Sequence, residues 1–439
     1  MKNIILISLL LLAGGLSPLL AQEVLPLETA IAEALQANYG IQVQRYEEQK
    51  SENSAYIGNA GLLPSISLSG SGQYSTNSAS GEQLNPGTGG VVELDTSGIS
   101  NSNVGAQAQL SYTLALANFR QYKVLQTSAN LTQDQTRQVI ENTALQVATA
   151  YYNLAKVAKR LQLLEEALQR SRDRLTRVQN QQEFGGANRL AVLNARVNIN
   201  ADSVNLVSSL LTFENARRDL NLLIGREIDS EYLVETDLTL ADRLSYEELE
   251  QSLLSTNASL QVAQTNRQLA ELSLSTTKAQ RLPTLSLNGT YAYNYTNNPF
   301  SIVPELQTWG PSVSASVNFN LYNGSQLTRQ IQNAQIDVAS SQTRLRETQQ
   351  TALRDLAKTY ANYRNNMEVL ALNQMSMEAA QMNFDRTKEA LDLGQATSLD
   401  FREAQLNLQQ IENQLSDLRF DIKLNEVQLL QLSGMLIEQ

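Results

Sequence analysis

Forty-four carboxylates and thirty-three lysines and arginines are the groups in this 439-residue chain able to carry charge near neutral pH, because it has no histidine and no cysteine. Without those two residue types the commonest general bases, nucleophiles, thiolate metal sites and disulfides are unavailable. Catalysis is therefore not expected, nor a resident metal or cofactor. The residues whose spacing does stand out do not form a reacting set. Asn38, Pro64, Ser67, Leu68, Gly70 and Tyr74 recur as Asn257, Pro283, Ser286, Leu287, Gly289 and Tyr293, each displaced by 219 positions. Tyr151, Asn153, Gly185, Ala187, Leu190, Ala195 and Gly225 recur as Tyr360, Asn362, Gly394, Ala396, Leu399, Ala404 and Gly434, displaced by 209. The chain is a tandem duplication, with about ten extra residues in the middle of the first copy.

The elements that must position these residues follow from periodicity. Met1-Lys2-Asn3 precedes an apolar stretch, Ile4 to Leu20, broken by Gly14-Gly15 and Pro18, and Ala21-Gln22 offers a cleavage point. A secretory signal over residues 1–21 is expected. Removing it takes away Lys2 and leaves 32 basic against 44 acidic groups, a net charge of −12. That acidity argues against nucleic acid as a partner. No later run approaches the roughly 20 apolar residues that a spanning helix needs.

Each copy switches from helical periodicity to alternation. Ile66, Leu68, Gly70, Gly72 and Tyr74 alternate with serines and Gln73, and Val104, Ala106, Ala108, Leu110, Tyr112 and Leu114 with Gly, Gln, Ser and Thr. In the second copy Leu285, Leu287, Tyr291, Tyr293 and Tyr295 alternate with Ser, Thr and Asn. The return strand there sets Trp309, Val313, Ala315, Val317, Phe319 and Leu321 against Ser and Asn. Two hairpins are expected, at about 64–78 with 103–118 and about 283–297 with 309–321. The Gly/Ser/Asn-rich stretch Asn77–Asn103 reads as a polar loop. One face is apolar and aromatic and the other uncharged and polar, as in a strand between lipid and water. A half-buried hairpin in a soluble sandwich would alternate in the same way, and the surrounding helices weigh against it.

Those helices carry sustained heptads: Leu190, Val197, Val204 and Leu211, then Leu408, Leu415, Ile422 and Leu429. Steps of seven predict antiparallel coiled-coil packing. An uninterrupted helix from about Phe119 to Gln182 would span roughly 95 Å. Shorter helices, from Pro26 to about Leu63 and Asn188 to Ile224, would lie beside it. The organisation expected is a first repeat over 22–225, a linker over 226–245 and a second repeat over 246–439. Four spanning strands cannot close a barrel, for which about eight is the minimum, so several chains must combine.

Signal, duplicated helix–hairpin–long helix–Gly turn–helix, Leu63-Pro64-Ser65 and Leu282-Pro283-Thr284 before each first strand, and Leu220-Asn221-Leu222-Leu223-Ile224-Gly225 closing the first copy together resemble the TolC family of outer-membrane efflux proteins. The resemblance implies a mixed, mainly α fold. Long antiparallel coiled-coil helices would form a trimeric α-barrel tunnel, and four strands per chain would contribute to a 12-stranded transmembrane β-barrel. It implies an outer-membrane exit duct with a large periplasmic helical domain, serving a tripartite efflux or type I secretion system. The implied partners are two further copies of the chain, a periplasmic adaptor, an inner-membrane pump and outer-membrane lipid. Drugs, metals and proteins all remain open as cargo.

By the same resemblance, carboxylates six and nine residues past the second Gly turn would gate the periplasmic entrance. Here these are Asp400 and Glu403, on one helix face at i, i+3. Thr397 and Asp400 would also form a capping box. The equivalents in the first copy are Ala191 and Asn194. The family's basic gate partner two residues past that Gly is Ala396 here, leaving Arg189 or Arg196 as candidates for the lock. Phe184, Gly185, Ala187, Leu393, Gly394 and Ala396 would form the adaptor-docking tip. Tyr74, Tyr112, Tyr291, Tyr293, Tyr295 and Trp309 would form an aromatic girdle in lipid. The alternatives are a secreted structural coiled coil, which leaves the charge-free strands unexplained, and a diffusion porin, which leaves the helices unexplained.

Overall fold

The structure, a computed structural model, describes residues 24–84, 87, 89–186, 188–240, 244–299, 301 and 303–437. The expected signal segment lies outside the described residues. In chain order the elements are β1 (Val24–Leu25), α1 (Leu27–Ala37), α2 (Tyr39–Ser54), β2 (Ser65–Leu84), β3 (Val91–Leu114), α3 (Leu116–Glu183) and α4 (Arg189–Ile224). There follow β4 (Leu233–Val234), α5 (Tyr246–Thr256), α6 (Ala258–Ala279), β5 (Thr284–Asn297), β6 (Glu305–Asn318), α7 (Gln326–Asp392) and α8 (Ser398–Leu432). Each repeat therefore runs helix pair, hairpin, very long helix, turn, helix. Among the described residues no helix is long and apolar enough to cross a membrane.

Two expected boundaries change. The helix expected from Pro26 to Leu63 is broken at Asn38 and ends at Ser54, and its second-repeat counterpart is broken at Asn257. Both asparagines have extended backbone, which ends one helix and begins the next. The Asn38 Oδ1 accepts from the amides of Gly40 (2.9 Å) and Ile41 (3.2 Å), and the Asn257 Oδ1 from Leu260 (3.1 Å). This is N-cap chemistry in the middle of an apolar pattern.

The second change concerns the first hairpin. The stretch expected as a loop from Asn77 to Asn103 is mostly strand, because β2 continues to Leu84 and β3 begins at Val91, past a register shift between Asn77 and Ala79. β6 likewise starts earlier than expected and ends at Asn318, leaving Phe319 and Leu321 beyond the sheet.

The chain divides into two compact units. The first combines residues 24–46, 134–261 and 346–437 and is helical apart from the parallel pair β1–β4. Its core has three apolar clusters. One joins Leu25, Val147, Tyr151, Leu154, Leu220, Ile224 and Phe420; another joins Leu249, Leu253, Leu356, Tyr363, Ile422 and Leu429. The third, Ala380, Phe384, Phe401, Ala404 and Leu408, glues α7 to α8 near their shared turn.

The two repeats close by matching devices. The Asn38 Nδ2 donates to the Leu223 carbonyl and that of Asn257 to the Leu432 carbonyl, both at 2.9 Å. Gly225 and Gly434, with φ of 77° and 70°, lie so near α1 and α5 that an added Cβ would sit 2.6 Å from Ala37 Cβ and Thr256 Oγ1 respectively. Only glycine fits a left-handed cap at that approach. The Tyr151 hydroxyl donates to the Leu25 carbonyl (2.9 Å) and accepts from the Glu235 amide (3.2 Å), clamping β1 to the segment after β4. Its counterpart Tyr360 donates to the Leu244 carbonyl at 3.1 Å.

The second unit, residues 47–133 and 262–345, carries one four-stranded antiparallel sheet in the order β2-β3-β5-β6. Along most of the sheet the register sets like against like, although Tyr295 also faces Gln307 and Tyr74 faces Ser102. Tyr291 faces Ala108 and Pro311, Tyr293 faces Ala106 and Trp309, Tyr295 faces Val104, and Leu287 faces Tyr112 and Ala315. On the other side Ser286 faces Thr113 and Ser316, Asn288 faces Ser111 and Ser314, and Thr290 faces Gln109 and Ser312. β2 and β6 are the edges of the sheet, and each leaves one side of its backbone unpaired within the chain.

Candidate functional site

Two helical reversals form one candidate site. After α3, the amide of Gly186 bonds the Gln181 carbonyl (2.7 Å) and that of Gly185 bonds Gln182 (3.1 Å). After α7, Gln395 bonds Ala390 (2.8 Å) and Gly394 bonds Leu391 (3.1 Å). Both are Schellman caps, with Gly185 and Gly394 left-handed at φ 75° and 71°. The caps force Phe184 and Leu393, at equivalent positions of the two repeats, to project. They are 90% and 72% exposed, among the largest exposures of any apolar side chain described. Ala396 is half-buried. Ala187 lies outside the described residues.

Asp400 and Glu403 begin α8 and both are exposed. The expected capping box is present. The Thr397 Oγ1 accepts from the Asp400 amide (3.2 Å), while the Asp400 Oδ2 accepts from the Thr397 amide (2.8 Å) and hydroxyl (2.7 Å). Those bonds, the Thr397 hydroxyl's first, hold the Asp400 carboxyl below the usual carboxylate range. In the first repeat the cap is Asn188, whose side chain accepts from the Ala191 amide, with no acid at that position.

Arg189 and Arg196 are both exposed. Near the turns, Arg177 on α3 pairs at 2.8 Å with Asp392 at the end of α7, and Arg402 on α8 pairs with Asp202 on α4, its Nη2 and Nη1 lying 3.1 and 3.3 Å from the two carboxylate oxygens. Sequence reasoning missed this pair for want of a repeat signal. The positions equivalent to Asp202 and Arg402 are Ile411 and Leu193.

The expected girdle residues lie on the sheet. Tyr74, Tyr291, Tyr293 and Trp309 are exposed on its apolar face, with Tyr112 and Tyr295 half-buried there. The opposite face carries hydroxyl and amide rungs with no charge along the paired stretch from Thr284 to Asn318.

A mainly helical body joined to such a sheet recurs in known proteins. The family model described as outer membrane efflux protein matches residues 30–226 and 249–435, one segment per repeat. The chain belongs to this family. Among curated relatives, the outer membrane protein TolC of Salmonella enteritidis is 24% identical over 79% of this chain and 72% of its own length. A crystal structure of CusC superposes with a TM-score of 0.75 at 19% identity, covering 93% of this chain and 92% of that one. The outer membrane protein VceC of Vibrio cholerae gives 0.72 at 17%, covering 93% and 96%. Membership of the outer membrane efflux family makes this chain an outer-membrane exit duct with a helical tunnel on the periplasmic side, and it sets aside the structural coiled coil. Members of the family are channels rather than enzymes.

Proposed function

We propose that three copies of this chain assemble into the passive exit duct of a tripartite efflux or type I secretion system, fed by a periplasmic adaptor and an inner-membrane pump. The observation that carries this reading is the four-stranded sheet with two unpaired edges and an exposed apolar face. In hydrocarbon each unpaired backbone group would cost several kcal/mol. Joining β6 of one copy to β2 of the next satisfies both edges, and three copies give 12 strands. The two repeats, 22–225 and 246–439, would then be near-equivalent wall segments joined by 226–245.

The site residues take their places in this scheme. Tyr74, Tyr112, Tyr291, Tyr293, Tyr295 and Trp309 meet lipid as a girdle. Phe184, Gly185, Ala187, Leu393, Gly394 and Ala396 form the tip on which the adaptor docks, and the exposed Phe184 and Leu393 favour an apolar contact there. Asp400 and Glu403, repeated threefold, line the entrance as two acidic rings that attract cations and repel one another. Electron microscopy of the detergent-solubilised protein tests the assembly: a threefold particle with a detergent belt around a 12-stranded barrel supports it, and a monodisperse rod with no belt sinks it. In planar bilayers, Asp400→Ala and Glu403→Ala should each lower cation preference by roughly twofold or more. Unchanged reversal potentials in both would remove the acidic pair from the entrance.

A further inference from the structure

Gly289 recurs in the duplication as Gly70, yet neither position needs glycine for its backbone, since neither has positive φ. A Cβ at Gly289 would meet nothing within 4 Å, and one at Gly70 only the Gly105 carbonyl oxygen, at an ordinary 3.8 Å. Glycine weakens a strand interior because it has no side chain to pack. At Gly289 the missing side chain leaves a space. Leu110 and Val313 face it from β3 and β6, and Leu287 and Tyr291 flank it along β5. These four border a hollow of about 510 Å³ on the apolar face, within the roughly 300–1,000 Å³ of small-ligand sites. Gly70 lies on the edge strand β2, so within the chain its space has a wall on one side only.

A second hollow, of about 660 Å³, opens where the same hairpin joins α6 and α7. Its walls are mostly polar, with Arg281, Asn320 and Asn323 beside the rings of Phe319 and Tyr322. Arg281 is exposed, and among the described residues its guanidinium has no carboxylate partner. The first repeat has Leu62 in its place. Its junction is closed by Asn118, whose Nδ2 donates to the Gly61 and Thr113 carbonyls at 3.1 and 3.2 Å. The strip between the two hollows is apolar. Val317, Ala315 and Val313 share one face, beside Leu285, Leu287 and Gly289, and Phe319 continues the alternation.

The spacing of the hollows suits one kind of molecule. Phe319 to Val313 is about 20 Å of strand at 3.4 Å per residue. Tilted by about 45° that is roughly 14 Å of depth, and one leaflet supplies about half of a 30 Å hydrocarbon core. A cation at one end and an apolar hollow one leaflet's depth away match the phosphate and the acyl chain of a lipid. The helical tunnel of this family is periplasmic, so the junction with α6 and α7 lies at the inner leaflet, which is phospholipid. We propose that the second hairpin of each copy holds one phospholipid, its phosphate on Arg281 and one acyl chain laid past Val317 and Ala315 into the hollow at Gly289. The chain supplies the contacts that the missing side chain forfeits and so stabilises the sheet. This rests on the apolar face meeting lipid, as proposed above.

Trp309, the single tryptophan of the chain, reports on this site. It lies on the same face as Pro311, which lines the apolar hollow about 7 Å further along β6. Phosphatidylethanolamine brominated in mid-chain, titrated into the detergent-solubilised assembly, should quench Trp309 fluorescence saturably. Arg281→Gln should weaken the apparent affinity about tenfold, the worth of a charge-assisted contact, and Arg281→Lys much less. Gly289→Leu, which fills the hollow in ordinary backbone, should abolish the saturable phase. Quenching unchanged in both Arg281→Gln and Gly289→Leu overturns the site. Loss in Gly289→Leu with no effect of Arg281→Gln leaves a chain without a phosphate contact and overturns it equally. If purified lipopolysaccharide displaces the brominated lipid better than unlabelled phosphatidylethanolamine does, the occupant is an outer-leaflet lipid and the assignment is wrong. If Arg281→Gln breaks the assembly into single chains, the polar hollow is a contact between copies and the assignment is also wrong. A threefold particle with a detergent belt and no saturable quenching sinks the lipid site alone, whereas a rod with no belt sinks the duct.

Discussion

Asn38 and Asn257 each use one amide twice, the oxygen starting a helix and the nitrogen holding the last carbonyls of the helix that closes the same repeat. Replacing either with alanine removes a cap and orphans a part-buried carbonyl, a loss of about 1–3 kcal/mol. Thermal unfolding of Asn257→Ala should begin at a lower temperature than wild type, and an unchanged midpoint would mean that the break between α5 and α6 needs no side chain. Asp400 answers to pH instead. Its carboxyl titrates lower in the folded chain than in the unfolded one, so the cap is intact above the usual carboxylate range and is lost as pH falls through the depressed value. Amide exchange at the first turn of α8, measured against the second turn as control, should speed up selectively at that acidity. The repeat made Asn38, Asn257, Tyr151 and Tyr360 visible in the sequence. Their partners lie far along the chain, Leu223 being 185 residues from Asn38, so the roles were not visible. Asp202 and Arg402 left no trace, because charged residues on a polar coiled coil read as solvated until their partners are known.

The strands were the most legible elements, since alternation fixes which side chains share a face and the register merely confirms the pairing. The extra length of β2 and β3 was not legible. Ser, Gly and Asn are loop residues by composition, yet once the inner ladder is paired the neighbouring backbone can extend it without apolar side chains. The two faces should respond oppositely to charge. Val313→Arg, on the exposed apolar face, should cost about 2–4 kcal/mol in the bilayer and reduce the amount of folded protein in outer membranes. Ser314→Arg, one residue on, should insert normally and shift conduction toward anions. Equal insertion of both would mean that the apolar face is not the lipid face. In the helical unit, Gly225→Ala puts a methyl group 2.6 Å from Ala37 Cβ in left-handed backbone. It should destabilise the chain by more than the 1–2 kcal/mol of the conformation alone, and a chain that folds as wild type would show that α1 can move aside.

For the whole molecule, duplication is what the sequence announced most clearly, and the match to the outer membrane efflux family follows it, one segment to each repeat. The repeats differ most in their hairpins: strands of 20 and 24 residues in the first against 14 and 14 in the second. In the duct proposed above the hairpin tips would form the outward rim, and this excess would make it uneven. Longer hairpins, bearing Glu82, Glu93 and Asp95, would alternate with shorter ones. An antibody or any other large visitor from outside would then touch first a part of the molecule in which its two halves differ, leaving that part free to diverge under such pressure while the duct beneath keeps its plan.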